Sequence, residues 1–212
     1  MYTLISNYQQ DYTRPQLDKF TNFVSLVKRA RVFATKAHDG QYRKGKSNKG
    51  EKLEYITHPI AVAKILHKFK SSHKIAELIA VCVLHDTVED CKHKGVTIEV
   101  IRKEFGNLIA SLVEELTSDP KGVEKFGKKQ YLINKMTNMS TWGLGIKLAD
   151  RVHNLSDVQR KLDGGKPSDV KWVSKYCKQT DAIVKALKEN RTLTDTHKRL
   201  IEEIKRLIKP GI

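Results

Sequence analysis

The sequence predicts an all-α fold. Apolar residues recur at helical rather than strand spacing along most of the chain. The segments between them carry the proline, glycine and capping residues that start and stop helices. No stretch shows the alternation of a half-buried strand. The 212 residues suit one domain, and no repeat or low-complexity linker divides them. A single helical domain over residues 1–212 is therefore expected.

From Pro15 to His38, apolar residues at Phe20, Phe23, Val24, Val27, Ala30, Ala34 and Ala37 mark one helix face. The polar, Gly- and Lys-rich stretch from Asp39 to Thr57 reads as a loop. Pro59 suits a first helical position, so a short helix should run from about Pro59 to Phe69. The next covers about Ser72 to Val88, with its most apolar part at Leu78 to Leu84. Cys91, Lys92 and Gly95 fall in a loop after it. Thr97 is a candidate N-cap for a helix ending near Phe105 and Gly106. Another helix is expected from about Asn107 to Thr117, followed by a turn at Asp119, Pro120 and Gly122. Helices over about Val123 to Asn138 and Leu144 to Leu162 follow. Gly164, Gly165 and Pro167 break the chain before helices over roughly 168–190 and 194–209.

Composition bounds the function. Hydrophobic residues make up 39% and charged residues 30%, an ordinary balance for a water-soluble domain. The longest apolar run, Leu78 to Leu84, is far short of the roughly 20 residues of a membrane span. The N-terminus lacks the pattern of a signal peptide, and three scattered cysteines form no CxxC pair. A cytoplasmic location with reduced thiols is the expectation. The net charge of +16 favours polyanionic partners such as nucleotides or nucleic acids. A basic module that only binds nucleic acid would fit the charge, yet the chain has no helix-turn-helix, zinc-finger or aromatic-rich RNA motif.

Chemistry is expected at His85-Asp86, which ends the most apolar helix. Polar side chains there need partners, and a divalent metal would supply one. Imidazole plus carboxylate suits manganese, iron or zinc better than calcium. His58, before Pro59, and Asp150, in IKLADRVHN, extend the set to two imidazoles and two carboxylates. Such a set leaves positions on an octahedral ion for water and a phosphate oxygen. Glu89 and Asp90 follow within about a turn and could orient the water or take its proton. Asn154, four residues after Asp150, shares its helix face; it reads either as a group holding a ligand hydroxyl or as a surface residue. Arg43 and Lys44 can meet a base or phosphate, whereas Lys46, Lys49 and Lys52 read as solvated loop. His38 reads as a group packed behind the site or as a further ligand. Cys91 and His93 offer too few ligands for a zinc site. His67, His73, His153 and His197 show no matching partner in the sequence.

The segments AHDGQYRKGK, YITHPIAVAKIL, VCVLHDTVEDC, VIRKEFGNLIASLVEELTSD and IKLADRVHNLSD, in that order, resemble the hydrolase domain of RelA/SpoT-type enzymes in the HD superfamily. The likeness runs from about residue 28 to 190. The chain resembles the stand-alone small alarmone hydrolases, similar to the metazoan SpoT homologues. The resemblance implies an all-helical fold, a manganese ion, and removal of the 3′-pyrophosphate of guanosine tetra- or pentaphosphate, (p)ppGpp. Carried over by motif, it implies His58, His85, Asp86 and Asp150 as metal ligands and Glu89 and Asp90 as catalytic carboxylates. Arg43, Lys44 and Asn154 would contact the nucleotide, and Tyr176, in SKYCKQTDAIVKAL, would touch it too. The loop between Lys44 and Tyr55 is longer and richer in lysine than the compact family form, and residues 118–128 are particular to this chain. Related hydrolases are implied to act on adenine alarmones, NADPH or pyrophosphorylated tRNA, some as antitoxins beside a toxic synthetase. Those substrates stay open at the level of sequence.

Overall fold

The computed structural model describes residues 14–46, 50–157 and 167–208, with side chains described from 18–43, 50–157 and 170–208. Helix α1 (Arg14–Ala37) leads into a small hairpin, β1 (Tyr42–Lys46) and β2 (Lys52–Glu54). Then come α2 (Thr57–Phe69), α3 (Ile75–Leu84), the single turn α4 (Thr87–Asp90) and a 3-10 turn at Lys92–Lys94. Helices α5 (Ile98–Phe105), α6 (Asn107–Leu116), α7 (Pro120–Asn138), α8 (Thr141–Ser156), α9 (Pro167–Asn190) and α10 (Asp195–Leu207) complete it.

Helix α3 is the hub. Every residue from Leu78 to Leu84 is buried, and α1, α2, α6 and α8 all pack against it. A helix apolar all round can be stable only when neighbours surround it. Helix α2 also packs on α8, α10 closes over α8, and α9 lies along α7. No described helix is long and apolar enough to cross a membrane.

The local signals act as their chemistry demands. The Thr97 hydroxyl accepts from Val100 N and starts α5, and Gly106 ends it at φ +85°, where a side chain would be strained. The Asp119 carboxylate accepts from the amides of Lys121 and Gly122, with Pro120 in the first turn. The expected turn at Asp119, Pro120 and Gly122 is thus the capped start of α7, and the helix bends instead at Gly127.

Four further expectations change. The Asp39–Thr57 loop contains an antiparallel hairpin, pairing Tyr42 with Glu54 and Lys46 with Lys52. Its strands, YRKGK and KLE, are short and mostly polar in sequence, so no alternation marks them. Helix α1 buries Ala30, Ala34 and Ala37, but Phe20 and Val24 are exposed; the described core covers only the C-terminal part of the expected apolar face. The helix expected from Ser72 to Val88 stops at Leu84. The helix expected to reach Leu162 is α8, which ends at Ser156, and the expected break at Gly164 and Gly165 lies outside the described residues, as does Lys49.

Candidate metal centre and nucleotide site

The end of α3 builds the site. The His85 ring donates from Nδ1 to the Cys82 carbonyl at 2.7 Å, and the Thr87 hydroxyl donates to Leu84 O at 2.7 Å. These side chains satisfy carbonyls that a terminating helix leaves open. The Nδ1 donation leaves Nε2 as the nitrogen that faces inward. His85 Nε2 is fully buried and has no aligned hydrogen-bond partner.

Other elements converge on that nitrogen. His58, in the first turn of α2, and Asp150, in mid-α8, are both buried. One ligand atom from each of His58, His85 and Asp86 fits within a 4.8 Å cluster. His85 Nε2 lies 3.1 Å from Asp86 Oδ1 and 4.0 Å from Asp150 Oδ1. His58 Nε2 stands 3.2 Å from Asp150 Oδ1 and 3.5 Å from Asp86 Oδ2. Bonds of roughly 2.1 Å to one cation place neighbouring ligands about 3 Å apart. The spacing and the orphaned His85 nitrogen therefore fit a divalent ion held by these four residues.

The electrostatics follow from the crowding of two imidazoles and two carboxyls in a buried place. Burial lowers His85, but Asp86 and Asp150 outweigh it and raise the imidazole to about 9. Burial opposes ionisation of Asp86 and Asp150. The adjoining imidazoles outweigh it at Asp86, and Lys147 followed by His58 does so at Asp150, so both carboxyls sit below their usual range. Burial lowers His58. Burial and the neighbouring His58 lower His153 to about 4.

Around this cluster sits a polar rim. The Tyr55 hydroxyl donates to Asp86 Oδ2 at 2.7 Å, and burial followed by Asp86 and Asp90 keeps the phenol protonated far above its usual range. The Asp90 carboxyl is raised by burial and then by Asp86. Asn154 donates to Asp150 Oδ1 at 2.7 Å. Arg43 donates to Asn154 Oδ1 at 3.0 Å and to Asp157 Oδ2 at 2.8 Å, with its guanidinium 5.7 Å from the Tyr55 ring centre. The hairpin thus carries its arginine to the metal cluster, and Lys44 shares the β1 strand, although its side chain lies outside the described residues. The Tyr176 ring lies under the Arg151 guanidinium at 5.3 Å and stacks on Trp172 at 5.0 Å. Glu89 is exposed and accepts from Ser118 N at 2.8 Å. Unlike Asp90, it turns toward the α6–α7 connection. His38 stacks on Tyr55 at 4.6 Å and bonds Gln41 Oε1 at 2.7 Å. It reaches the cluster through Tyr55, whose hydroxyl bonds Asp86.

Four participants carried no legible sequence signal of their own: Tyr55, Lys147, His153 and Asp157. Lys147 contacts Asp150 Oδ2 at 3.2 Å. The expectation that His153 has no partner is wrong, because its Nδ1 is 2.7 Å from His58 Nδ1. Spacing from Asp150 was the available clue. Positions 147, 153, 154 and 157 fall three, four or seven residues from it, on one helix stripe. His197 instead caps α10 with Thr194, and His73 packs edge-on against Trp142.

The HD domain family model matches residues 30–175. This chain belongs to the HD-domain family. Among curated relatives, guanosine-3′,5′-bis(diphosphate) 3′-pyrophosphohydrolase MESH1 of Xenopus tropicalis is 33% identical over 175 residues, spanning 81% of this chain and 89% of the relative. The Homo sapiens MESH1 is 33% identical over 181 residues, spanning 84% and 89%. A solved structure of a metazoan orthologue of SpoT, which hydrolyses ppGpp and plays a role in starvation responses, superposes with a TM-score of 0.63 at 26% identity. That match covers 84% of this chain and 93% of the other. A Listeria monocytogenes structure shares the HD fold at a TM-score of 0.56 and 24% identity, over 73% and 98% of the two chains. The likeness to RelA/SpoT-type HD hydrolases read from the motifs therefore holds along most of the chain.

Proposed function

We propose that this HD-domain protein is a metal-dependent hydrolase that removes the 3′-pyrophosphate of (p)ppGpp, giving GDP or GTP and pyrophosphate. The observation that carries this reading is the cluster of His58, His85, Asp86 and Asp150 around one buried imidazole nitrogen that makes no aligned hydrogen bond. It occurs in a chain similar over four-fifths of its length to the MESH1 hydrolases. Residues 1–212 act as one domain, and three free cysteines suit a cytoplasmic setting.

The four residues would hold manganese; their carboxylates suit it, and their imidazoles also admit iron or zinc. When bound, the ion supplies positive charge toward the phosphate oxygens and the attacking water. In the reaction, water adds to the phosphorus next to the ribose, the bond from that phosphorus to O3′ breaks, and O3′ takes up a proton. Asp90 accepts the proton of the water; its raised carboxyl is a better base than an ordinary aspartate. Glu89 orients the approach from the α4 rim. Tyr55 holds Asp86 in its ligand pose through the 2.7 Å hydrogen bond. Arg43 and Lys44 receive the guanine and phosphates, Asn154 steadies the ribose side, and Tyr176 closes the far wall.

The test incubates purified protein with manganese and ppGpp and measures pyrophosphate. Release by the wild type, abolished by chelator and by Asp86→Ala, is expected. No release, or equal release by Asp86→Ala, overturns the reading. Adenine alarmones and pyrophosphorylated tRNA in the same assay, and NADPH with orthophosphate as the readout, test how wide the substrate range is.

A further inference from the structure

Asp157 is the C-cap of α8, one turn beyond His153, and the two connect the arginine of the hairpin to the His58–Asp150 cluster. The Asp157 carboxylate is buried. One oxygen takes the Arg43 guanidinium at 2.8 Å, and the other lies 3.9 Å from His153 Nε2. The opposite nitrogen of that ring, Nδ1, is 2.7 Å from His58 Nδ1. The His58 Nε2 faces Asp86 and Asp150.

Two ring nitrogens at 2.7 Å need one proton between them. If His58 offers its Nε2 lone pair to a cation, its proton resides on Nδ1 and is donated to His153 Nδ1. His153 then carries its own proton on Nε2, on the side of Asp157. The order is carboxylate, imidazole, imidazole, ligand position, and each proton has one consistent place. A ligating imidazole commonly owes its orientation and basicity to the partner of its other nitrogen. His85 uses a backbone carbonyl for that purpose, whereas His58 uses a second histidine.

We infer that His153 and Asp157 are positioning residues for the metal centre: His153 fixes the tautomer of His58, and Asp157 binds Arg43 and places its second oxygen 3.9 Å from His153 Nε2. Asp157 is thereby the shared support of the metal shell and of the arginine that meets the nucleotide. This inference rests on the metal reading of the preceding subsection.

The test is calorimetric titration of manganese into the full-length protein without nucleotide. His153→Phe keeps a ring but removes the acceptor, and its affinity should fall about 10- to 100-fold. His153→Asn places an amide oxygen near the position of Nδ1 and should retain affinity within a few-fold. Asp157→Asn should weaken binding about threefold or more, since it acts one contact further out. Equal affinity of His153→Phe and wild type overturns the inference, as does an equal fall in the Phe and Asn variants, which would mark a packing effect. If His153→Phe does not fold by circular dichroism, Asp157→Asn decides, and unchanged affinity there overturns it. A wild type that binds no manganese, cobalt or zinc instead overturns the underlying metal reading.

Discussion

Asp86 serves three partners at once: the imidazoles of His58 and His85 and the Tyr55 hydroxyl. Asp86→Ala should therefore cost more metal affinity than loss of an outer partner, a fall beyond about 100-fold by calorimetry. Asp90 is different in kind. Burial first, and then Asp86, raises its carboxyl. A carboxyl raised on folding binds its proton more tightly in the native state. It favours folding at low pH and loses that contribution as pH rises through the native value. At neutral pH the ionised Asp90 therefore opposes folding. In chelator, Asp90→Asn should raise the melting temperature at pH 7, and the gain should vanish below the ordinary aspartate range near 3.9. The same variant should lose pyrophosphate release with manganese restored. A lower melting temperature at pH 7 would contradict this account of Asp90.

At the scale of elements, α3 sets the position of the ligands by where it stops. Leu84 is fully buried, immediately precedes His85, and its carbonyl receives Thr87. Leu84→Ala should cost about 2–5 kcal/mol in denaturant unfolding, with metal affinity falling as well because the helix end loses its packing. Thr97→Ala removes the N-cap of α5, remote from the cluster. It should cost about 1 kcal/mol and leave metal affinity unchanged. The contrast in metal titrations separates damage to the site from general loss of stability. The hairpin matters for reach: β1 holds Arg43 against Asn154 and Asp157, more than a hundred residues away in sequence.

Over the whole molecule, a divalent ion would tie together segments that already meet through packing and through the contacts of His58 with Asp86, Asp150 and His153. His58 comes from α2, His85-Asp86 from the end of α3, and Asp150 from α8. An ion bound by the native state alone stabilises it by about 2.7 kcal/mol at a hundredfold excess over the dissociation constant. Manganese should raise the wild-type melting temperature, and chelator should reverse the rise. Asp86→Ala should show no such shift in differential scanning fluorimetry.

His85-Asp86, His58 and Asp150 were legible in the chain because polar residues at the ends or on the buried stripes of apolar helices require partners, whereas Asn154 read equally as a surface residue. Helix existence was legible for the same reason, since burial imposes the 3.6-residue period. Their convergence to one cluster, the hairpin, and the parts played by Tyr55, Lys147, His153 and Asp157 depended on the tertiary structure. The hairpin gives no alternating apolar signal because its strands, YRKGK and KLE, are short and mostly polar. The His58–His153 contact joins α2 to α8 across 95 residues, and no local periodicity encodes such a distance. Sequence determined which side chains would need a partner. Packing of α2 and α8 on α3 decided which partners they met, because contact between distant helices follows from how their surfaces fit together.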